Sequence, residues 1–303
     1  MIKTEKLSKK FGELTAVDCL DLEVREGEVF GFLGPNGAGK TTTVRMLTSL
    51  IAPSAGRAIV NGFEVGKEDQ NIRRTVGILT ETPGMYDNLS AQRNLEIYAH
   101  LYEVKDIPGV IEHYLRLLGL WDRRRDEAGT FSKGMRQKLA IARALLHEPR
   151  IVFLDEPTAG LDPEASRLVR DAILELKKQG RTIFLCTHNL DEADRLCDRI
   201  GVFKTRLVVM DTPERLRSQL FGRKVVFHLL KTDEILAQSV ARLPFVHDAH
   251  SVDNRLVVTL DNPEEHNPEI VRLLVGNGAE IQFVGELRHS LEDVYLQLVR
   301  NME

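Results

Sequence analysis

Residues 29–41 read VFGFLGPNGAGKT, five apolar or small residues followed by a glycine-rich run and a lysine. The first five make a short buried strand, and residues 40–50 (KTTTVRMLTSL) read as a helix. Strand, glycine loop and helix form the setting of a phosphate-binding loop. Residues 34–41 satisfy the pattern G-x-x-x-x-G-K-[ST] through Gly34, Pro35, Asn36, Gly37, Ala38, Gly39, Lys40 and Thr41, with Thr42 next in line. The glycines let backbone N–H groups turn toward a phosphate without a side-chain clash, and the helix start adds its positive end. Lys40 is expected to bridge β- and γ-phosphates, and the Thr41 hydroxyl to ligate Mg²⁺. ATP and Mg²⁺ are therefore the expected cofactors.

Farther along, residues 151–156 read IVFLDE, an apolar strand that runs straight into two acids. Ligands of parallel sheets bind at the carboxyl ends of strands. Asp155 is expected to hold Mg²⁺, and Glu156 to polarise an attacking water. The rest of the first 220 residues alternates strand and helix patterns, which calls for a mainly parallel sheet covered by helices. Strands are expected at 14–25, 74–79, 183–186 and 200–209. A hairpin turning at Asn61-Gly62 is expected at 56–65. Helices are expected at 135–147, 164–179 and 190–196, with a helical insertion at about 85–148.

The chain has 303 residues, 43% hydrophobic and 28% charged, with 41 basic and 45 acidic side chains and a net charge of −4. That balance fits a folded chain of one main and one smaller domain, and it offers no basic face for nucleic acid. Cys19, Cys186 and Cys197 are dispersed, so neither a disulfide framework nor a zinc site is expected, and a reducing compartment suits them. A spanning helix needs about 20 apolar residues, and no stretch approaches that length.

Three further segments bring a family into view. Residues 131–137 read FSKGMRQ and lead into KLAIARALL; residues 159–162 read AGLD; residues 187–189 read THN. With the phosphate loop and the carboxylate pair, these resemble, in order, the motifs of the ATP-binding subunit of ABC transporters, over residues 1 to about 215. The resemblance is closest to the branch that drives drug and polysaccharide exporters with a separate permease. It implies an α/β fold: an ABC ATPase core whose mainly parallel sheet carries an antiparallel β subdomain and a helical subdomain. A small α+β C-terminal domain is expected at 221–303 after a core of 1–220, similar to the accessory tail of that branch.

The resemblance also implies roles. Phe11 would stack on adenine, although a place in the core of the first strand is the competing reading. Ser132 and Gly134 would donate to the γ-phosphate of an ATP held by another subunit, which implies a homodimer. Asp162 would cross the dimer seam, and His188 would contact the γ-phosphate and orient water. Lys133 and Met135 depart from the signature LSGGQ, where glycine and glutamine stand. Glu81 replaces the Q-loop glutamine and is a further expected Mg²⁺ contact. Thr205 occupies a turn where glycine is usual. An integral membrane permease is the implied partner, docking near 81–94, and Met85, Tyr86 and Leu89 are candidates for that contact. The place is then cytoplasmic and peripheral on the cell membrane. A soluble, non-transport ABC ATPase and a non-catalytic nucleotide-gated scaffold are the alternatives. The first is disfavoured by the lack of a long coiled coil or a second phosphate loop, the second by the presence of Glu156 and His188.

Overall fold

The computed structural model describes residues 1–80, 84–232, 234–287 and 289–300. The chain divides into two compact units, Met1–Thr212 and Pro213–Glu303.

The first unit holds two sheets. Strands β1 (Ile2–Phe11), β2 (Leu14–Val24), β4 (Ala55–Val60) and β5 (Phe63–Glu64) form an antiparallel sheet in the order β2-β1-β4-β5. Its β4–β5 turn is the expected Asn61-Gly62, with φ of 52° and 85°, the two positive values a type I′ hairpin requires. The second sheet contains β3 (Val29–Leu33), β6 (Val76–Leu79), β7 (Ile151–Asp155), β8 (Thr182–Thr187), β9 (Arg199–Lys204) and β10 (Arg206–Asp211), in the order β10-β9-β3-β8-β7-β6. Its pairings are parallel except for the edge strand β10.

Helix α1 (Lys40–Leu47) joins the two sheets. Val44, Met46 and Leu47 share a core with Leu20 and Leu22 of the antiparallel sheet and with Phe30, Phe32, Phe153 and Phe184 of the parallel one. Phe32 lies 5.3 Å from Phe184 and 4.5 Å from Phe203, ring centre to ring centre, a spacing at which tilted rings attract. The all-buried patterns of β3, β7 and β8 explain why these strands read as continuous apolar runs.

The insertion contains α3 (Ala91–Leu101), α4 (Ile107–Leu117) and α5 (Lys133–Leu145), preceded in the chain by α2 (Asp69–Thr75). Ser90 and Asp106 cap α3 and α4 by accepting from Arg93 N and Gly109 N. Helix α5 begins two residues before the expected start, because Ser132 caps it by accepting from Met135 N. The expected strand at 74–79 is shorter than its apolar pattern. Arg74 and Thr75 end α2, which buries Ile72 alone and so gives no periodic signal. The remaining α-helices among the described residues of this unit are α6 (Pro163–Lys178) and α7 (Leu190–Leu196).

The second unit contains α8 (Pro213–Phe221), β11 (Lys224–Leu229), α9 (Glu234–Ala241), β12 (Val246–Val252), β13 (Arg255–Leu260), α10 (Pro263–Gly276), β14 (Ile281–Leu287) and α11 (Leu291–Arg300). Its sheet is antiparallel, ordered β12-β13-β11-β14. The division differs from the expected one at 220/221. Helix α8 packs on α11 and buries Leu216, so it belongs with the second unit. Helix α10 starts at Pro263, where the missing N–H costs nothing, and carries Pro268 in its second turn, where the ring removes the bond an N–H would make to Glu264 O.

The β9–β10 connection is a one-residue turn. Lys204 faces Arg206, and Thr205 sits at φ 62°. Its N–H donates to Ala38 O and its carbonyl accepts from Asp18 N, which ties the phosphate loop to β2. A left-handed β-branched residue costs about 1–2 kcal/mol, and glycine forfeits about 0.4–1 kcal/mol through the unfolded chain. Thr205→Gly is therefore expected to raise unfolding stability by about 0.5 kcal/mol in denaturant titration, with both backbone bonds retained.

Candidate nucleotide and hydrolysis site

Parallel register builds the site. Leu33 of β3 pairs with Thr187 of β8, and Asp155 of β7 pairs with Cys186 of β8. The carboxyl ends of three neighbouring strands are thus level. The segments that follow them, residues 34–40, 156–162 and 188–189, open on the same edge of the sheet. Pro35–Thr42, Glu156, Ala159 and His188 line a cleft of about 560 Å³ that also takes in Phe11, Leu14, Thr15, Ala16, Asp155 and Thr205.

The glycines of the loop serve different ends. A Cβ on Gly39, at φ 103°, would lie 2.2 Å from Ala16 O, so the fold demands a hydrogen there. Gly37, at φ 79°, has nothing within 4 Å, and its backbone angle alone requires glycine. Gly37 faces open cleft, so the loop can admit a ligand against its backbone.

Lys40 is 6% exposed. Its ammonium donates to Gly34 O at 2.6 Å and Pro35 O at 3.2 Å, and stands 3.9 Å from Glu156 Oε1. A buried cation held mainly by neutral carbonyls is incompletely compensated, and an anionic ligand would complete it. Thr41 Oγ1 donates to Asp155 Oδ2 at 2.8 Å. A hydroxyl beside a carboxylate is a hard-oxygen donor set of the kind Mg²⁺ takes, with few protein ligands. The residues present fit that ion.

Glu156 holds φ 51°, and its N–H donates to Cys186 O at 2.9 Å. Glu156 Oε1 lies 2.9 Å from His188 Nδ1, yet accepts no well-directed hydrogen bond among the described residues. The His188 side chain is 58% exposed. Asp155, Glu156 and His188 are therefore gathered as expected, with Lys40 and Thr41 beside them. Phe11 ends β1 at the rim of the cleft, 50% exposed, and so stands outside the core. Glu81 lies outside the described residues.

The FSKGM segment does not line this cleft. Gly134 packs on the start of α6, where a Cβ would lie 3.3 Å from Ala165 Cβ and 3.7 Å from Leu161 Cδ2. The Lys133 ammonium lies against Gly160, so close that a Cβ there would displace it. Asp162 caps α6, accepting from Ala165 N at 2.8 Å. Ser132, Lys133 and Asp162 are all exposed. Of the candidates for a partner contact, Tyr86 is exposed and Met85 and Leu89 are half-buried. The loop around them is fixed by the buried Asn94, which accepts from Tyr86 N and donates to the carbonyls of Tyr86 and Leu89.

One buried group behind the site was not singled out by sequence. Glu192 of α7 is 2% exposed, and its Oε2 accepts from Thr187 Oγ1 at 3.1 Å. Thr187 Oγ1 is also 3.4 Å from Glu156 Oε2. Burial raises the Glu192 pKa from its ordinary value, against the opposing pull of Thr158, Thr187 and Arg170. The only signal in the sequence was an acid four residues after the histidine.

Comparison with known proteins places this geometry. The ABC transporter family matches residues 17–159, and the C-terminal domain of DrrA1-3-like ATP-binding proteins matches residues 212–299. The chain is 35% identical to the bacitracin transport ATP-binding protein BcrA of Bacillus licheniformis over 99% of its length and 97% of the relative. It is 35% identical to the daunorubicin resistance ATP-binding protein DrrA3 of Streptomyces coeruleorubidus, over 98% and 95%. A solved ATP-binding subunit of an ABC transporter superposes with a TM-score of 0.67 at 31% identity, covering 72% of this chain and 92% of that one. The chain belongs to the family of ABC transporter ATP-binding proteins. It binds nucleotide, is an ATPase, and is the ATP-binding subunit of a transporter. No helix among the described residues is long and apolar enough to cross a membrane.

The raised Glu192 pKa has a measurable consequence. The folded chain holds a proton there that the unfolded chain releases near the ordinary value of 4.5. That contribution to stability is complete below the unfolded value and is lost as pH rises through the folded one. Glu192→Gln, which cannot ionise, should gain stability over the wild type as pH rises above about 5, and the gap should close in acid. Thermal melts across pH measure this.

Proposed function

We propose that the chain is the ATP-hydrolysing motor of an exporter, working as a two-fold dimer attached to a separate membrane permease on the cytoplasmic face. The observation that carries this reading is the convergence of Lys40, Thr41, Asp155, Glu156 and His188 on one cleft, while Ser132–Met135 of the same chain lie outside it, with Ser132 and Lys133 exposed. A complete site then needs the FSKGM face of a second copy. A closed two-fold pair satisfies both copies at once. A dimeric bacterial ABC transporter cassette, 25% identical with a TM-score of 0.65, supports this arrangement.

In this reading ATP is the substrate. Adenine stacks on Phe11, and the phosphates lie along Gly34–Thr42 with Lys40 against their charge. Thr41 and Asp155 would hold Mg²⁺, with Glu81 as a further contact, and the bound ion neutralises phosphate charge. Glu156 takes the proton of the attacking water, and His188 steadies both Glu156 and the γ-phosphate. Ser132 and Gly134 of the partner's FSKGM turn close over that phosphate, and Asp162 meets the seam. Binding draws two chains together and hydrolysis releases them, so phosphate chemistry becomes movement. The permease would receive the movement through the segment around Met85, Tyr86 and Leu89. Export is the direction indicated by relatives named for bacitracin transport and daunorubicin resistance.

Phosphate release by the purified full chain with Mg-ATP tests the reading. Glu156→Gln should reduce turnover by at least about 100-fold and trap an ATP-dependent dimer in size-exclusion chromatography. Lys40→Ala should abolish turnover together with binding of a fluorescent ATP analogue. Undiminished turnover in either variant would overturn the assignment. Recovery of an integral membrane protein with the tagged chain from detergent-solubilised membranes distinguishes a transporter motor from a free ATPase. Phe11→Ala should weaken ATP binding by about 5- to 100-fold, the range for loss of one aromatic–base stack, with kcat changed far less.

A further inference from the structure

We propose that Glu192 is a positioning residue for hydrolysis, whose buried carboxyl sets the direction of the Thr187 hydroxyl and so decides whether Glu156 receives a hydrogen bond. The proposal rests on the reading of Glu156 as the group that activates water.

The argument is a count of protons. Thr187 Oγ1 has one hydrogen to give and two lone pairs. Asn189 N–H donates to it at 3.0 Å and takes one lone pair. Two carboxyls then face the hydroxyl, Glu192 Oε2 at 3.1 Å and Glu156 Oε2 at 3.4 Å. With both ionised, one proton serves two carboxylates, the nearer one takes it, and Glu156 Oε2 loses its donor. With Glu192 protonated, its O–H donates to the remaining lone pair of Thr187. The Thr187 proton is then free to go to Glu156 Oε2. Among Glu192, Thr187 and Glu156 themselves, donors and acceptors are matched in this second state and not in the first. Oε2 of Glu156 is thereby anchored from behind, and Oε1 is left beside His188 and Lys40, which line the cleft.

The surroundings of Glu192 favour the protonated state. The other titratable or charged groups around it are Glu156 from β7, Arg170 from α6 and the Cys197 thiol at the end of its own helix. Thr158, after β7, is a polar neighbour. No well-directed hydrogen bond reaches Glu192 Oε1 among the described residues, and the side chain of Thr158 is the neighbour that offsets part of the cost of burial there. The backbone holds the carboxyl in place, since Glu192 N–H donates to the capping Asn189 Oδ1 at 3.1 Å.

The test uses the full chain and four variants. Glu192→Ala and Thr187→Val should each lower kcat by about 10- to 100-fold, the range for loss of a hydrogen bond to a charged group, with KM for ATP within about twofold. Glu192→Gln, whose amide N–H can replace the carboxyl O–H, should recover most of the loss seen in Glu192→Ala. On the Thr187→Val background, Glu192→Ala should cost nothing further, because the hydroxyl it directs is gone. The wild-type kcat should fall as pH rises through the Glu192 pKa, and Glu192→Gln should lack that fall. Infrared difference spectra should show the carbonyl stretch of a protonated buried carboxyl that persists in Glu156→Gln and vanishes in Glu192→Gln. Additive losses in the double variant, or absence of the protonated band, would overturn the proposal. The infrared readout does not depend on turnover. A wild-type chain without ATP hydrolysis would sink the motor reading, and the band would still decide the state of Glu192.

Discussion

The register of three parallel strands is the constraint on which the site depends. Because Leu33 lies level with Thr187 and Asp155 with Cys186, the residues following β3, β7 and β8 leave the sheet at one height. Distances of 2.8 Å from Thr41 to Asp155 and 2.9 Å from His188 to Glu156 follow from that alignment. A slip of one residue would turn every side chain of a strand to its opposite face. Because β3, β7 and β8 are buried on both faces, shape rather than apolar–polar alternation resists such a slip, and the rings of Phe32, Phe153 and Phe184 pack the three strands together.

Strain accumulates where the chain leaves that sheet. Glu156 at φ 51° and Thr205 at φ 62° are both left-handed without being glycine. Each such residue costs about 1–2 kcal/mol, and the bonds around it must make good the loss. Glu156 N–H is held by Cys186 O, and Thr205 is held on both sides by Ala38 and Asp18. The same bonds link the phosphate loop to its walls. Buried charge is the second cost. Lys40 and Glu156 face each other at 3.9 Å at the mouth of the loop, while Glu192 is buried behind them, where burial favours its neutral form. A site arranged to receive a polyanion keeps its cation partly unsatisfied until the ligand arrives.

The second unit was harder to read than the first. Strands β12 (VHDAHSV) and β14 (IQFVGEL) lie at the two edges of its sheet and are largely exposed, so their side chains do not alternate cleanly between apolar and polar. The central strands β11 and β13, more buried, carried a clear pattern. The short helix α8 buries only Leu216, and its membership of the second unit was invisible to periodicity.

By itself the sequence determined the nucleotide chemistry and the layered fold, because both are written in local signals. A glycine loop between strand and helix, an apolar run ending in two acids, and a histidine after another apolar run each need only a short window of chain. Tertiary structure decided what depends on residues far apart. It took Phe11 out of the core and set it at the rim of the cleft, and it kept FSKGM away from the chain's own phosphate loop. It also made an ordinary-looking glutamate into a buried acid within reach of the Thr187 hydroxyl. The physical reason is that burial and proton sharing belong to groups brought together across the fold, and no window of sequence contains both partners.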